Sequence, residues 1–163
     1  YSLGGRSFSI WSHTGALVWD SGSEFERILA GRYESSFNAD QTSNERDDRS
    51  DNKGPEPEGV VVGEIGERKI AFIGLERHSG IMLYDVTDPK RPEFVEYSVT
   101  RDFSNPPETP EAGDLGPEGL TFIGAGESPT GKPILAVSYE VSGTTALYEV
   151  TVESIVADAS PQD

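Results

Sequence analysis

The sequence predicts an all-β protein built of short antiparallel strands. Three observations predict it: the composition, the length of the apolar runs and an internal repeat. Glycine and proline are abundant, 18 and 11 in 163 residues, while hydrophobic residues reach only 34%. That balance suits many short strands joined by turns better than a helical bundle. The apolar residues nonetheless gather into tight runs of strand length, GVVVGEI, KIAFIGL, GIMLYDV, PILAVSY and TTALYEV. The chain is long enough for one domain with a core of its own.

The repeat gives the architecture. Residues 54–89 read GPEPEGVVVGEIGERKIAFIGLERHSGIMLYDVTDP, and residues 116–150 read GPEGLTFIGAGESPTGKPILAVSYEVSGTTALYEV. In both, a Pro-Glu-Gly turn opens a strand, a loop with glycine and charge follows, and two further strands close on an aromatic residue and an acid. Glu58 and Glu118 occupy the same place, 60 residues apart. A unit of three or four short strands repeated in this way predicts a blade of a β-propeller. The period exceeds the ~40–50 residues of common propeller repeats, so the loops must be long. A ring needs ~4–8 blades, and about two and a half are present here, which predicts a sector of a larger ring. A small open sandwich of stacked sheets is the alternative.

Taken in order, residues 1–37 form a partial blade in which residues 6–22, RSFSIWSHTGALVWDSG, match the last two strands of the unit. Next, DSGSEFERILAGRY at 20–33 carries two capping-box patterns, Ser21 with Glu24 and Ser23 with Glu26. They predict a short helix near 21–30, against the competing reading of EFERILA as an outer strand like EFVEYSV. An acidic polar loop fills 38–57, a blade 58–100, a proline-rich loop 101–116, a second blade 117–157 and a tail 158–163. Both loops precede the Pro-Glu-Gly turn of a blade. Insertions repeated at one place in the unit fall on one face of the ring, often the binding face.

Charge and missing residues remove several function classes. With 29 acids against 13 bases the net charge is −16, which repels phosphate backbones and argues against nucleic acid as a partner. The absence of cysteine excludes disulfides, thiolate catalysis and cysteine metal sites. No run approaches the ~18–20 apolar residues that cross a bilayer, so membrane insertion is not expected. No G-x-S-x-G elbow and no glycine-rich loop leading into a helix is present. The chain opens on tyrosine and shows no signal peptide, and it reads as a piece of a longer protein.

What remains is carboxylate chemistry. Glu58 and Glu118 sit where the first strand of each blade begins, at the mouth of a propeller's channel, and Glu76 and Glu140 end the second strands. Carboxylates crowded around an axis raise each other's pKa unless protonated, paired with arginine or bound to a metal. Hard oxygen donors in irregular geometry favour Ca²⁺. The alternative is that these glutamates shape turns. The loop DDRSDNKG adds Asp48 and Asp51, and it does not meet the D-x-[DN]-x-[DN]-G calcium pattern. Arg49 and Arg77 are candidates for holding an anion such as phosphate, the alternative being pairing with nearby acids. Of the two histidines, His13 reads as a surface turn residue, and His78, beside Glu76 and Arg77, is the better candidate for acid–base work or ligation.

The order DDRSDNKGPEPEGV, IAFIGLERHSGIMLYDVTDP, GDLGPEGLTFI and SYEVSGT resembles a family of secreted bacterial proteins labelled alkaline phosphatase-like or choice-of-anchor I. That family is also similar to the mesenchyme-specific cell-surface glycoproteins of biomineralising animals. The resemblance implies an exported propeller, secreted, periplasmic or at the cell surface, of which this chain is the C-terminal part. It implies glutamates at Pro-Glu-Gly turns holding a metal, which carries onto Glu58 and Glu118, and phosphoester hydrolysis in the full-length protein. One type in the broader group also uses a cysteine ligand, which this chain lacks. The partners expected are a divalent cation and a phosphoester or mineral surface. Self-association through exposed strand edges is expected as well. The alternative function is a non-catalytic calcium-binding surface or matrix module.

Overall fold

The computed structural model describes residues 5–151. β1 (Ser9–Trp11) and β2 (Leu17–Asp20) form a hairpin, and α1 (Glu24–Arg32) follows. β3 (Pro57–Ile65), β4 (Arg68–Leu75), β5 (Gly80–Asp85) and β6 (Glu93–Val99) form a four-stranded antiparallel meander. β7 (Pro117–Ile123), β8 (Ile134–Tyr139) and β9 (Thr144–Glu149) form a three-stranded one. The class is therefore all-β with one short helix. The described residues make three stacked sheets, not a closed ring. Residues 1–4 of the first predicted unit, 152–157 of the last and the tail 158–163 lie outside the described residues.

The middle sheet is covered on both faces. Every residue of β4 from Ile70 to Leu75 is buried, as is β5 from Gly80 to Tyr84. Side chains alternate across a strand, so one continuous apolar run feeds two cores. Ile70, Phe72, Ile81 and Leu83 pack against Leu135, Val137 and Tyr139 of the third sheet. Ala71, Ile73, Leu75, Met82 and Tyr84 pack against Phe25 and Leu29 of α1, with Phe8 and Trp19 of the hairpin alongside. Each large apolar side chain buried this way contributes about 1.5–3 kcal/mol.

The segment EFERILA is a helix, and its spacing says why. Phe25 and Leu29 stand four apart and are both fully buried, while Arg27 is exposed. At strand period Arg27 would share the inner face with them. In β6 the matching segment buries Val95 and Tyr97 at period two and stays extended. The predicted capping boxes are not used. Ser23 is the N-cap residue without a side-chain cap bond. Ser21 Oγ accepts from the Phe8 amide at 3.0 Å, and Glu26 turns away to Arg6 at 2.7 Å and Asn38 at 2.8 Å. The tertiary partners outbid the local cap.

The first strands of the two repeats lie against each other. A Cβ on Gly59 would stand 2.5 Å from the Glu118 carbonyl oxygen, and one on Gly63 would stand 2.5 Å from the Phe122 ring. Gly59 lets the two backbones approach, and Gly63 lets the Phe122 ring lie on the β3 backbone, where any side chain would collide.

Gly63→Ala is expected to destabilise the chain by about 1–3 kcal/mol, since Phe122 stacks on Phe72 and has little room to yield. Gly31→Ala in α1, with nothing within 4 Å, is expected to be neutral or stabilising. Urea unfolding of both variants checks the pair, and equal stabilities would refute the close-approach reading.

Candidate functional site

The Pro-Glu-Gly turns are β-bulges. Pairing of β3 with β4 breaks between Pro57 and Val60, and pairing of β7 with β8 breaks between Pro117 and Gly119. Each bulge is closed by the residue that ends the second strand. The Glu76 amide donates to the Glu56 carbonyl at 2.9 Å, and the Glu140 amide donates to the Gly116 carbonyl at 2.8 Å. The repeat thus sets the same backbone frame twice, and the side chains on the two frames differ.

In the first frame Glu58 and Glu76 meet through their carboxyl groups. Glu76 is 5% exposed and Glu58 stands at the surface. Burial and the hydrogen bond with Glu58 push the Glu76 carboxyl up to about 7, against the pull of Arg77. Gln41 Nε2 also donates to Glu76 Oε1 at 3.0 Å. In the second frame Glu118 and Glu140 are both exposed. The bulges are neighbours through the Gly59 approach to the Glu118 backbone. Among the described residues no group of three or more acidic or histidine side chains comes together as a metal site.

The arginines are engaged by carboxylates. Arg77 pairs with Glu56 through Nε, with Glu76 at 3.1 Å and with Asp40 at 3.9 Å. Arg49 lies 3.3 Å from Glu56 and 3.5 Å from Asp40, and Lys53 completes the set on Glu56. Burial opposes ionisation of Glu56, yet hydrogen bonds from Arg77 and Lys53 hold its carboxyl below the ordinary range. Burial likewise opposes ionisation of Asp40, and the Thr42 hydroxyl and amide with Arg77 and Arg49 outweigh it. Three cations thus engage Asp40, Glu56 and Glu76. Glu58 has no ion-pair partner among the described residues and meets Glu76, whose carboxyl pKa burial and this contact raise.

Other predicted residues are placed differently. Asp48 and Asp51 point outward on the exposed side of the loop. His78 is fully buried, its Nδ1 2.6 Å from the Tyr97 hydroxyl and its ring against Tyr33 and Phe103. Burial, with Arg101 nearby, pushes its pKa down to about 3, so the imidazole is neutral and part of the core.

Three residues that hold this region together were invisible in sequence. Glu56 has no counterpart in the second repeat, where GPEG replaces GPEPEG. Asp40 is one acid among many in its loop. Arg101, 5% exposed, reaches across both long loops. It donates to the carbonyls of Arg77 at 2.9 Å, Asp40 at 2.8 Å and Ser43 at 3.1 Å, and to Asn44 Oδ1 at 2.8 Å. Its guanidinium lies 4.4 Å from the centre of the Phe103 ring.

Known proteins share this sequence pattern. A profile described as the Choice-of-anchor I domain matches residues 1–89. Gigasin-3a of Magallana gigas is 34% identical, the match covering 92% of this chain and 57% of that protein. The mesenchyme-specific cell surface glycoprotein of Strongylocentrotus purpuratus is 29% identical across 53% of this chain and 13% of its own length. The chain therefore spans little more than half the length of one curated relative and a small part of the other. No solved structure matches it.

Two outcomes follow from the geometry. Because the folded-state pKa of Glu76 lies above its ordinary 4.5, its contribution is fully present below pH 4.5 and is lost as pH rises through 7. Glu76→Gln keeps the acceptor for Gln41 and removes the titration. The variant should match wild type near pH 5 and exceed it near pH 8 in urea unfolding, and an unchanged pH slope would disprove the assignment. Arg101→Lys keeps the charge but cannot reach four acceptors, and should cost about 2–4 kcal/mol. Amide exchange should then accelerate in residues 40–44 before the sheets.

Proposed function

The chain belongs to the choice-of-anchor I domain family, and from that premise we propose that it is an interaction module of an exported, cell-surface protein, a propeller sector whose two long loops form the working face. The observation that carries this reading is the fixing of those loops as one surface at one end of the sheet stack. Arg101 ties the chain at 40–44 to its own loop, and the side chain of Asn44 donates to the Asn105 carbonyl at 2.7 Å. Loops held this way by a rigid scaffold are suited to presentation. The sheet stack also leaves Trp11, Leu17, Val60 and Val62 exposed at 53–60% and Leu147 at 67%. In the sector reading these apolar residues await neighbouring blades. The cell-surface location of the sea-urchin relative supports export of this one.

The second reading is a calcium-dependent phosphatase-like function in the full-length protein. The Glu58–Glu76 contact favours it, because two carboxyls forced together are a place where a divalent cation replaces a proton. The fit is partial. Ca²⁺ takes about 6–8 oxygens, and the pair supplies two carboxyl groups, so further oxygens would be needed. Arg49 and Arg77 would have to leave their carboxylate partners to hold a phosphate.

Calorimetric titration of CaCl₂ into chelator-treated chain, beside Glu58→Ala and Glu118→Ala, with a p-nitrophenyl phosphate assay of the full-length protein, separates the readings. The module reading expects no calcium-dependent turnover and the epitope-tagged full-length protein in the surface or medium fraction. Turnover lost on Glu58→Ala would favour the phosphatase, and retention inside the cell would defeat the export claim.

A further inference from the structure

The two long loops enclose a cleft of about 500 Å³ against the turn between β8 and β9, within the ~300–1,000 Å³ range of ligand sites. Its walls are Pro107 and Pro110 on one loop, Leu115 at the foot of β7, and Val141 on the turn. Val141 is 40% exposed, an apolar side chain held open to solvent.

Apart from Gln41, whose Oε1 is buried without a hydrogen-bond partner among the described residues, the polar side chains around it divide into two kinds. The hydroxyls are already satisfied within the protein. Thr42 Oγ1 donates to Asp40 at 2.7 Å, Thr109 Oγ1 to the Pro106 carbonyl at 2.9 Å, and Thr144 Oγ1 to Asp114 at 2.6 Å. Ser142 Oγ accepts from the Leu115 amide at 3.1 Å. These bonds fix the cleft and leave little for a polyhydroxylated ligand. Glu108 is the other kind: it lines the cleft, is exposed, and has no ion-pair partner among the described residues.

The surrounding charge has one sign. From position 102 to 131 the chain carries Asp102, Glu108, Glu111, Asp114, Glu118 and Glu127 and no lysine, arginine or histidine. Arg101, at the edge of this run, is buried with its charge spent on carbonyl oxygens. Among the described residues no cation lines the cleft. Apolar walls with an unpaired carboxylate at the rim match a side chain with an aliphatic stem and a cationic head.

We propose that this cleft is a docking site for a basic peptide segment, one lysine or arginine stem lying between Pro110, Leu115 and Val141 with its charged head on Glu108. The proposal rests on the interaction-module reading and names its partner class. It is tested on the chain itself, independently of export or turnover. Gln41 belongs to both the cleft wall and the Glu76 hydrogen bond, so the cleft adjoins the carboxyl pair.

The test is an amide NMR titration at 150 mM salt with a capped hexapeptide of alternating lysine and glycine. Saturable shifts confined to Thr42, Gly113, Leu115, Ser142 and Thr144 are expected. Glu108→Gln should weaken binding about fivefold. Glu127→Gln removes the same charge at the far end of β7 and should change it less than about twofold. Val141→Lys should abolish the local shifts while leaving the fold intact by the remaining spectrum. Non-saturating shifts spread over the acidic surface, or equal losses in the Glu108 and Glu127 variants, would reduce the effect to diffuse charge and overturn the proposal. Binding of a glutamate-glycine hexapeptide at the same amides would overturn it as well.

Discussion

The constraint on which the rest depends is that the two central strands of the middle sheet have no polar face. β4 and β5 bury consecutive residues, so both sides of the sheet must be covered, and neither cover can be solvent. The third sheet supplies one cover, the hairpin and α1 the other. The helix stands in the position of a fourth strand because the requirement is for two apolar side chains on one face, and EFERILA offers them at helical spacing only. On the opposite side β3 and β7 close together because Gly59 admits the Glu118 backbone and Gly63 admits the Phe122 ring. The stack is set by burial, and the loops are then free to be polar.

Polar loops on a chain of net charge −16 still have to be held, and hydrophobic burial does not hold them. Two devices do. Arg101 gives its donors to backbone carbonyls, so its attachment does not depend on the ionisation of any partner. The network at Glu56 works differently, by matching three cations to carboxylates that would otherwise repel one another. Glu58 lies outside the match, and its contact with Glu76 adds to burial in raising the Glu76 carboxyl pKa. That raised carboxyl is intelligible as a by-product of loop attachment before any function is assigned to it.

The distinction between frame and side chain explains what was legible in the sequence. Strand positions and the repeat follow from short-range rules, alternation and turn chemistry, and they could be read directly, whereas the Pro-Glu-Gly segments read as turns are bulges inside β3 and β7. The pairing of Glu58 with Glu76 lay within reach, because the repeat places both at the same end of the blade. What escaped was partner choice at long range. Glu56, two residues from a predicted ligand, takes the cations because its backbone stands at positive φ and aims it into the loop. Arg101 acts on residues some 60 positions away. His78 read as a turn residue beside charges, yet its neighbours in space are Tyr33, Tyr97 and Phe103. No local pattern encodes such contacts, since each depends on how loops return over the sheet ends.

The same separation bears on how the protein would work. The two repeats share a backbone frame, but only the first surrounds its bulge with an ion-pair network, and the second leaves Glu118 and Glu140 exposed to solvent. In the proposed module, function would reside in what is added to the frame, the loops at 38–57 and 101–116, and in the charge they carry. An acidic surface alone attracts any cation weakly and from all directions. The proposed docking site instead sets one carboxylate beside fixed apolar walls. Asp40 and Glu56 are engaged by Arg49, Lys53 and Arg77, Asp114 accepts from threonine hydroxyls, and Glu108 has no ion-pair partner among the described residues. In the module reading, the interactions that hold the loops in place also fix the walls beside the charge that a partner would meet.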